Sequence, residues 1–134
     1  MQRVLLLGVT LLVLGALLFI WTGQSQEPTA PADVSVRAEA PDGTLLFFVD
    51  PVALPAERAN VLEALLEAAK RGNTSVEVSY GSGMGAFVKS IGGHEPEGNC
   101  GWLWERNGVL GDRAADKATV SDGDQIRWRW GCEG

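Results

Sequence analysis

The sequence has little of what enzymes and nucleic-acid-binding proteins usually need. Its 134 residues include one histidine and two cysteines, too few for a multi-ligand zinc site or a histidine-based catalytic triad. Positive charge is also scarce, since 11 Lys and Arg residues stand against 17 Asp and Glu residues and give a net charge of -6. Nucleic acid and anionic lipid both attract basic surfaces, so neither is an expected electrostatic partner. No constellation of acid, base and nucleophile is visible, and we predict that the protein is not an enzyme.

One long uncharged run lies near the N-terminus, from Val4 to Trp21. As a helix it would span about 27 Å, enough to cross a bilayer core. Because Arg3 precedes the run and acidic residues follow it, the positive-inside rule places residues 1–3 in the cytoplasm and the rest of the chain outside. We predict an uncleaved signal-anchor over residues 4–21 in the cell membrane, with a cleaved signal peptide, and hence secretion, as the alternative.

The segment after the anchor, residues 22–33, is rich in Pro, Thr and Gln and is predicted to be a linker. Residues 34–134 then form the extracytoplasmic domain. Alternating polarity predicts a hairpin of strands 34–39 and 44–49, and helical spacing of apolar residues predicts a helix from Pro55 to Arg71, ended by Gly72. Further strands are predicted at 75–80, 86–91, 102–106 and 125–130, with 109–121 irregular. This order predicts an α+β fold, a β-grasp-like mixed sheet of about six strands with one packed helix.

The tryptophans are concentrated in the last two predicted strands. Trp102 and Trp104 share one side of their strand, and Ile126, Trp128 and Trp130 share a face of the last one. If these strands pair antiparallel, the indoles meet across the ladder. Two interpretations remain open: the indoles form the core against the helix, or some lie at a rim and stack on a planar ligand.

The two cysteines flank the same pair of strands. Cys100 precedes the fifth strand and Cys132 follows the sixth, so antiparallel pairing brings them to one end of the ladder. An extracytoplasmic location favours oxidation, and we predict a Cys100–Cys132 disulfide. The alternative is a nucleophilic pair of Cys100 with the nearby His94.

Four other patterns have both a functional and a structural interpretation. The glycines at 81, 83 and 85 resemble a phosphate loop but lead into a β-rich segment, which favours a plain connection. His94 is a candidate axial ligand for a metal cofactor, or a surface side chain. Arg127 and Arg129 are a candidate anion-binding pair, or a solvated strand face. The acidic residues Asp112, Asp116, Asp122 and Asp124 lack calcium-motif spacing and fit turns better, so no metal site is predicted.

An ordered set of short motifs covers the same region. It consists of the run Tyr80 to Gly93 (YGSGMGAFVKSIGG), then Gly101-Trp102-Leu103-Trp104, Asn107-Gly108 and Asp122-Gly123-Asp124, with the helix segment Val61 to Leu65 upstream. This set resembles the transcobalamin-type C-terminal domain, a soluble-ligand-binding β-grasp group. The resemblance covers about residues 34–131, essentially all of the predicted domain.

The resemblance implies a binding function. In animal cobalamin carriers this module closes over the corrinoid beside a large helical domain, which has no counterpart here; many bacterial members are surface proteins. For this chain the resemblance implies a membrane-tethered, non-catalytic module that binds a small soluble ligand, with cobalamin as a candidate cofactor. A structural or protein-interaction accessory of a membrane complex is the alternative. The ligand-facing positions that it implies are Gly85, Ala86, Phe87, Gly92, Gly93, Trp102 and Trp104; His94 adjoins them but is not part of the motif.

Overall fold

The computed structural model describes residues 30–81 and 83–132. The strands are β1 (Ala32–Glu39), β2 (Leu45–Leu54), β3 (Val76–Gly81), β4 (Gly85–Ile91), β5 (Cys100–Arg106), β6 (Val109–Leu110) and β7 (Gln125–Cys132). The helix α1 spans Val61–Arg71, and two short 3-10 helices span Ala56–Arg58 and Ala115–Lys117. The predicted N-terminal tail, the anchor at 4–21 and most of the linker lie outside the described residues. Within the described part, no helix has the length and apolarity needed to cross a bilayer.

The strands form two sheets rather than the single sheet of about six strands that the sequence predicted. The larger sheet has the order β2-β1-β7-β5-β6, and β3 and β4 form a separate antiparallel pair. Within the larger sheet β7 runs parallel to β1, and the other neighbours are antiparallel. The connection between β4 and β5 explains the separation. Ile91 pairs with His94, and Glu97 pairs with Cys100, so the chain folds back on itself before β5 begins.

The core lies between the larger sheet and α1. On β1 the inward residues Val34, Val36 and Ala38 are buried, which confirms the predicted alternation. The helix buries one apolar stripe against β1, β2 and the second 3-10 helix. Ala86 and Val88 of β4 join the same core, so the smaller sheet closes one side of the domain.

Helix α1 begins six residues later than the sequence predicted. Residues Ala56–Arg58 form a 3-10 turn, and Asn60 is the N-cap of α1, its side chain accepting a hydrogen bond from the backbone N–H of Glu63 at 2.8 Å. The Asn-x-x-Glu spacing is a helix-start signal in its own right. The predicted end of the second strand at residue 49 was also wrong, since β2 continues through Pro51 to Leu54; proline is tolerated there because β2 is an edge strand.

The C-terminal end of α1 is as predicted, although the reason for glycine differs. Gly72 is the C-cap, but the left-handed conformation belongs to Asn73, whose φ is 52°. A Cβ at Gly72 would lie 2.7 Å from Cβ of Phe47. Glycine at this position therefore lets the helix end pack closely on β2.

Candidate functional site

The indoles of β5 and β7 meet across an antiparallel ladder, as the sequence predicted. Trp102 is opposite Trp130 and Trp104 is opposite Trp128. Trp102, Trp104 and Trp128 are 7%, 8% and 2% exposed and belong to the core. Trp130 is only partly buried and packs edge-on against Trp102, with ring centroids 5.4 Å apart. The core interpretation therefore holds for three of the four indoles.

The predicted disulfide between Cys100 and Cys132 is present at the end of this ladder. The two residues are directly opposite in the β5–β7 register. The alternative of a Cys100 nucleophile assisted by His94 is thereby wrong, because a disulfide sulfur is not a thiolate.

A cleft of about 330 Å³ opens between β4, β5 and the loop after β6, and we call it the indole cleft. Its lining residues are Ala86, Phe87, Val88, Trp102, Leu103, Trp104, Leu110, Gly111, Arg113, Ala114, Ala115 and Trp128. Most of these side chains are apolar or aromatic, which is the usual lining of a small-molecule site. The cleft thus has a floor of the three buried indoles.

The cleft lies where the two sheets face each other without pairing. Among the described strands, β4 pairs with β3 alone, and β6 covers only the last two residues of β5. Cys100 and Trp104 use this edge of β5, since Cys100 exchanges hydrogen bonds with Glu97 and the Trp104 carbonyl accepts one from the Gly111 N–H at 2.9 Å. By strand alternation the backbone N–H and C=O of Trp102, midway between them, point to the same edge. The walls therefore offer backbone hydrogen-bonding groups as well as apolar surface.

The three indole N–H groups of the floor differ in their partners. Nε1 of Trp102 donates to the carbonyl oxygen of His94 at 2.8 Å, and Nε1 of Trp104 donates to that of Arg113 at 3.2 Å. Nε1 of Trp128 is buried and has no acceptor among the described residues. Buried hydrogen-bond donors without an acceptor are rare in protein interiors and point to a missing partner.

The rim of the cleft carries exposed apolar side chains. Phe87 on one side is 54% exposed, and Leu110 on the other is 52% exposed. Tyr80, Met84 and Val109 on the adjoining hairpins are more exposed still. A group of large apolar side chains held in water beside an aromatic cleft is typical of a binding site rather than of a plain surface.

The seven predicted ligand-facing residues do not all meet at this cleft. Ala86, Phe87, Trp102 and Trp104 line it. Gly85 supports it from behind, because a Cβ there would lie 2.7 Å from Cβ of Ala114 and 2.8 Å from Oδ1 of Asp116. Asp116 also accepts a hydrogen bond from the Ala86 N–H at 2.9 Å, which fixes this wall.

Gly92 and Gly93 lie elsewhere. The nearest atoms to a Cβ at Gly92 would belong to Leu46 and Thr74. Gly93 lines a second cavity of about 440 Å³, the His94 cavity, with Pro41, Asp42, His94, Glu95, Glu97 and Trp130. A hydrogen bond from the Thr44 N–H lowers the pKa of the Asp42 carboxyl in this cavity. The predicted set therefore divides between two places.

Several cleft residues were missed by the sequence prediction. Leu110 to Ala115 fall in the stretch expected to be irregular, yet it contains β6 and a 3-10 helix. The Asn107-Gly108 turn was the available signal: both residues have positive φ, so the chain must return along β5 and bring Leu110 and Gly111 back to the indoles.

The outward face of the larger sheet carries a ladder of ion pairs. Arg127 Nε donates to Glu39 at 2.8 Å, Arg129 Nε donates to Glu105 at 2.6 Å, and Arg37 Nε donates to Glu39 at 3.1 Å. The interpretation as a solvated strand face holds, since both arginines lie on this outward face, and they pair with carboxylates within the chain rather than forming an anion-binding pair. Burial raises the pKa of Glu39, but the hydrogen bonds from Arg127 and Arg37 outweigh it and hold the pKa below its ordinary value.

Three of the aspartates accept backbone hydrogen bonds or form an ion pair within the fold. Asp122 accepts a hydrogen bond from the Asp33 N–H at 2.9 Å, Asp124 accepts one from the Ser121 N–H at 2.8 Å, and Asp112 pairs with Arg113 at 3.1 Å. Across residues 30–81 and 83–132, no three His, Cys, Asp or Glu side chains are grouped so as to hold a metal ion.

Comparison with known proteins supports the fold. A family model described as "Domain of unknown function (DUF4430)" matches residues 59–131. Haptocorrin in complex with Cbi is similar over 82% of this chain and 27% of its own, with a TM-score of 0.68 and 15% sequence identity. A candidate metal-binding protein from Ruminococcus gnavus is similar over 77% of this chain and 99% of its own, with a TM-score of 0.57 and 17% identity. No curated protein matches the sequence. The fold is therefore transcobalamin-like, as the motifs predicted, and the chain corresponds to about a quarter of haptocorrin.

Proposed function

Because this chain belongs to the DUF4430 family, a domain of unknown function, we propose a function from its own site: it binds a small soluble ligand in the indole cleft and does not transform it. The observation that carries the proposal is the combination of a floor of three buried indoles with the exposed apolar rim residues Phe87 and Leu110. Keeping the side chains of Phe87 and Leu110 in water is unfavourable, and a bound apolar ligand removes that cost. A non-catalytic role fits the cleft lining, in which Arg113 is the sole charged side chain.

The ligand is planar and largely apolar. The cleft volume of about 330 Å³ lies at the small end of drug-sized sites, so a ring system of two or three fused rings fits it. A corrinoid is a candidate, supported by the likeness to haptocorrin in complex with Cbi. A corrin macrocycle is wider than this cleft, so the cleft would contact one edge of the macrocycle.

The binding domain is tethered outside the cell membrane. This part of the proposal is supported by the uncharged run at 4–21 and by the disulfide, which belongs to oxidising compartments. The domain would then act as a surface protein that captures its ligand close to the bilayer.

Titration of the full chain in dodecyl maltoside micelles tests the proposal. The probes are cobalamin, cobinamide and the two-ring ketone 2-acetylnaphthalene, followed by calorimetric titration and melting temperature. A ligand at a hundred times its Kd stabilises by about 2.7 kcal/mol, which raises Tm by more than about 10 °C in a domain of this size. Absence of heat and of a Tm shift with all three probes would contradict it.

Two phenylalanines provide a matched pair of variants. Phe87 on the cleft rim and Phe48 on the outward face of the larger sheet are 54% and 53% exposed. We expect Phe87→Ala to weaken binding about tenfold, since it removes most of a ring that contacts ligand, and Phe48→Ala to leave binding unchanged. Equal effects of the two variants would place the ligand elsewhere.

The alternative function is that of a protein-interaction accessory to a membrane complex. The exposure of Met84 and Val109, two large apolar side chains that do not line the cleft, favours it. Mild detergent purification of the full chain decides between the two functions. An accessory brings a stoichiometric partner that Val109→Asp releases, whereas a ligand carrier purifies alone and keeps its ligand affinity in that variant.

A further inference from the structure

Trp128 is the most deeply buried of the cleft indoles and the only one of the three whose N–H has no acceptor in the described part of the chain. The indole N–H groups of Trp102 and Trp104 donate to the backbone carbonyls of His94 and Arg113. Two of the three indole N–H groups therefore have an acceptor within the fold, and the third has none among the described residues. Packing alone does not require an N–H group at this position, because a phenylalanine ring fills a core and has no donor.

The residue that carries the unmatched donor belongs to the lining of the indole cleft, although Nε1 itself is covered. Trp128 lines the cleft together with Trp104, its partner across the ladder. A buried N–H that has lost water and found no acceptor is unfavourable, so any oxygen that arrives there with a ligand is strongly preferred over a methyl or methylene group. A site with an unpaired donor thus discriminates by chemistry and not only by shape.

We propose that the ligand carries a ketone or amide oxygen on the edge of its apolar ring system, and that this oxygen accepts a hydrogen bond from Nε1 of Trp128. The inference rests on the proposed function and specifies the class of ligand for the same cleft. Nε1 itself is covered, so the oxygen reaches it after a small movement of the lining side chains. Phe87 and Leu110 have room to move, since more than half of each is exposed.

Two isosteric probes test this inference in the full chain in dodecyl maltoside. 2-Acetylnaphthalene carries a carbonyl oxygen, and 2-isopropenylnaphthalene has a CH₂ group in its place. We expect the ketone to bind about five- to tenfold more tightly than the alkene, and Trp128→Phe to abolish that preference. Because the two probes are compared within each protein, their partition into micelles cancels from the change in the ratio. Trp130→Phe is the matched control, since Trp130 does not line the cleft, and it should keep the preference.

Indole ¹⁵N–¹H spectra provide a readout that does not depend on the variant folding. The ketone should move the Nε1–H resonance of Trp128 downfield, while those of Trp102 and Trp104, whose acceptors are internal, should respond equally to both probes. If both probes bind with equal affinity and the Trp128 resonance responds equally to both, the inference is wrong and the proposed function stands. If neither probe binds, the proposed function fails for planar apolar ligands, and the inference fails with it.

Discussion

Replacing Gly111 by alanine tests the floor of the indole cleft with a single methyl group. A Cβ at Gly111 would lie 2.2 Å from Cε2 and 2.3 Å from Cζ2 of Trp104. Van der Waals contact between carbons is near 3.5 Å, so the ring and the added methyl must separate by about 1.3 Å more. Trp104 is 8% exposed and packed within the core, so this movement disturbs its neighbours.

The cost has two sources. Overpacking a core typically costs about 1–3 kcal/mol. Displacing the indole also breaks the hydrogen bond from Trp104 Nε1 to the Arg113 carbonyl and leaves a buried donor, at about 1–3 kcal/mol. The sum of about 2–6 kcal/mol corresponds, at about 5 °C per kcal/mol, to a fall in Tm of roughly 10–30 °C for a domain of this size.

Gly101→Ala is the matched control, because Gly101 lies in β5 directly before the cleft indole Trp102. The nearest atoms to a Cβ at Gly101 would be Cβ and Cγ of Pro96 at 3.7 and 3.8 Å, which is ordinary contact. We expect its Tm to stay within about 3 °C of the parent, since such a change is worth about 0.5 kcal/mol or less. Thermal unfolding followed by near-ultraviolet circular dichroism measures both variants. A Gly111→Ala protein that melts with the parent would show that Gly111 does not contact Trp104, and the described cleft would be wrong.

Three further predictions concern the stability of the domain. Replacing both Cys100 and Cys132 by serine opens a loop with a sequence separation of 32 and should lower the unfolding free energy by about 3–4 kcal/mol in urea titrations, and added reductant should then change nothing further. Asn60→Ala removes the N-cap and should cost about 1 kcal/mol, whereas Asn60→Asp should retain most of it; equal losses would argue against capping. Because the folded-state pKa of Glu39 lies below its ordinary 4.5, its stabilising contribution is present above that pH and is lost as pH falls through the lower folded value. Melting curves from pH 6 to pH 3 should therefore show a smaller fall in Tm on acidification for Glu39→Gln than for the parent. Identical falls in Tm would mean that the pairing with Arg127 contributes nothing to stability.

The features that the sequence predicted correctly are those with local signals. The hairpin of β1 and β2, the Asn107-Gly108 turn and the stripe of α1 each depend on residues a few positions apart. The disulfide was predictable because both cysteines flank strands that pair. The β4–β5 separation was not predictable from strand patterns, since it is set by pairings within the loop between them.

The candidate site was predicted in part for the same reason. Trp102, Trp104, Ala86 and Phe87 reach the cleft because strand alternation fixes their side. Gly92 and Gly93 are close to Phe87 in sequence, but β4 runs about 13 Å from Phe87 to Ile91 before the turn that contains them begins. The importance of Trp128 depends on a partner that its N–H lacks, and sequence periodicity contains no information about hydrogen-bond satisfaction.

The position of the last strand has a consequence for how this domain is made. β7 lies between β1 and β5, so the last of the described strands in chain order is the one that joins the two halves of the larger sheet. Without it, the remaining strands form only two-stranded ribbons, which are marginal in water. The domain therefore remains unfolded until β7 is available to pair with β1 and β5.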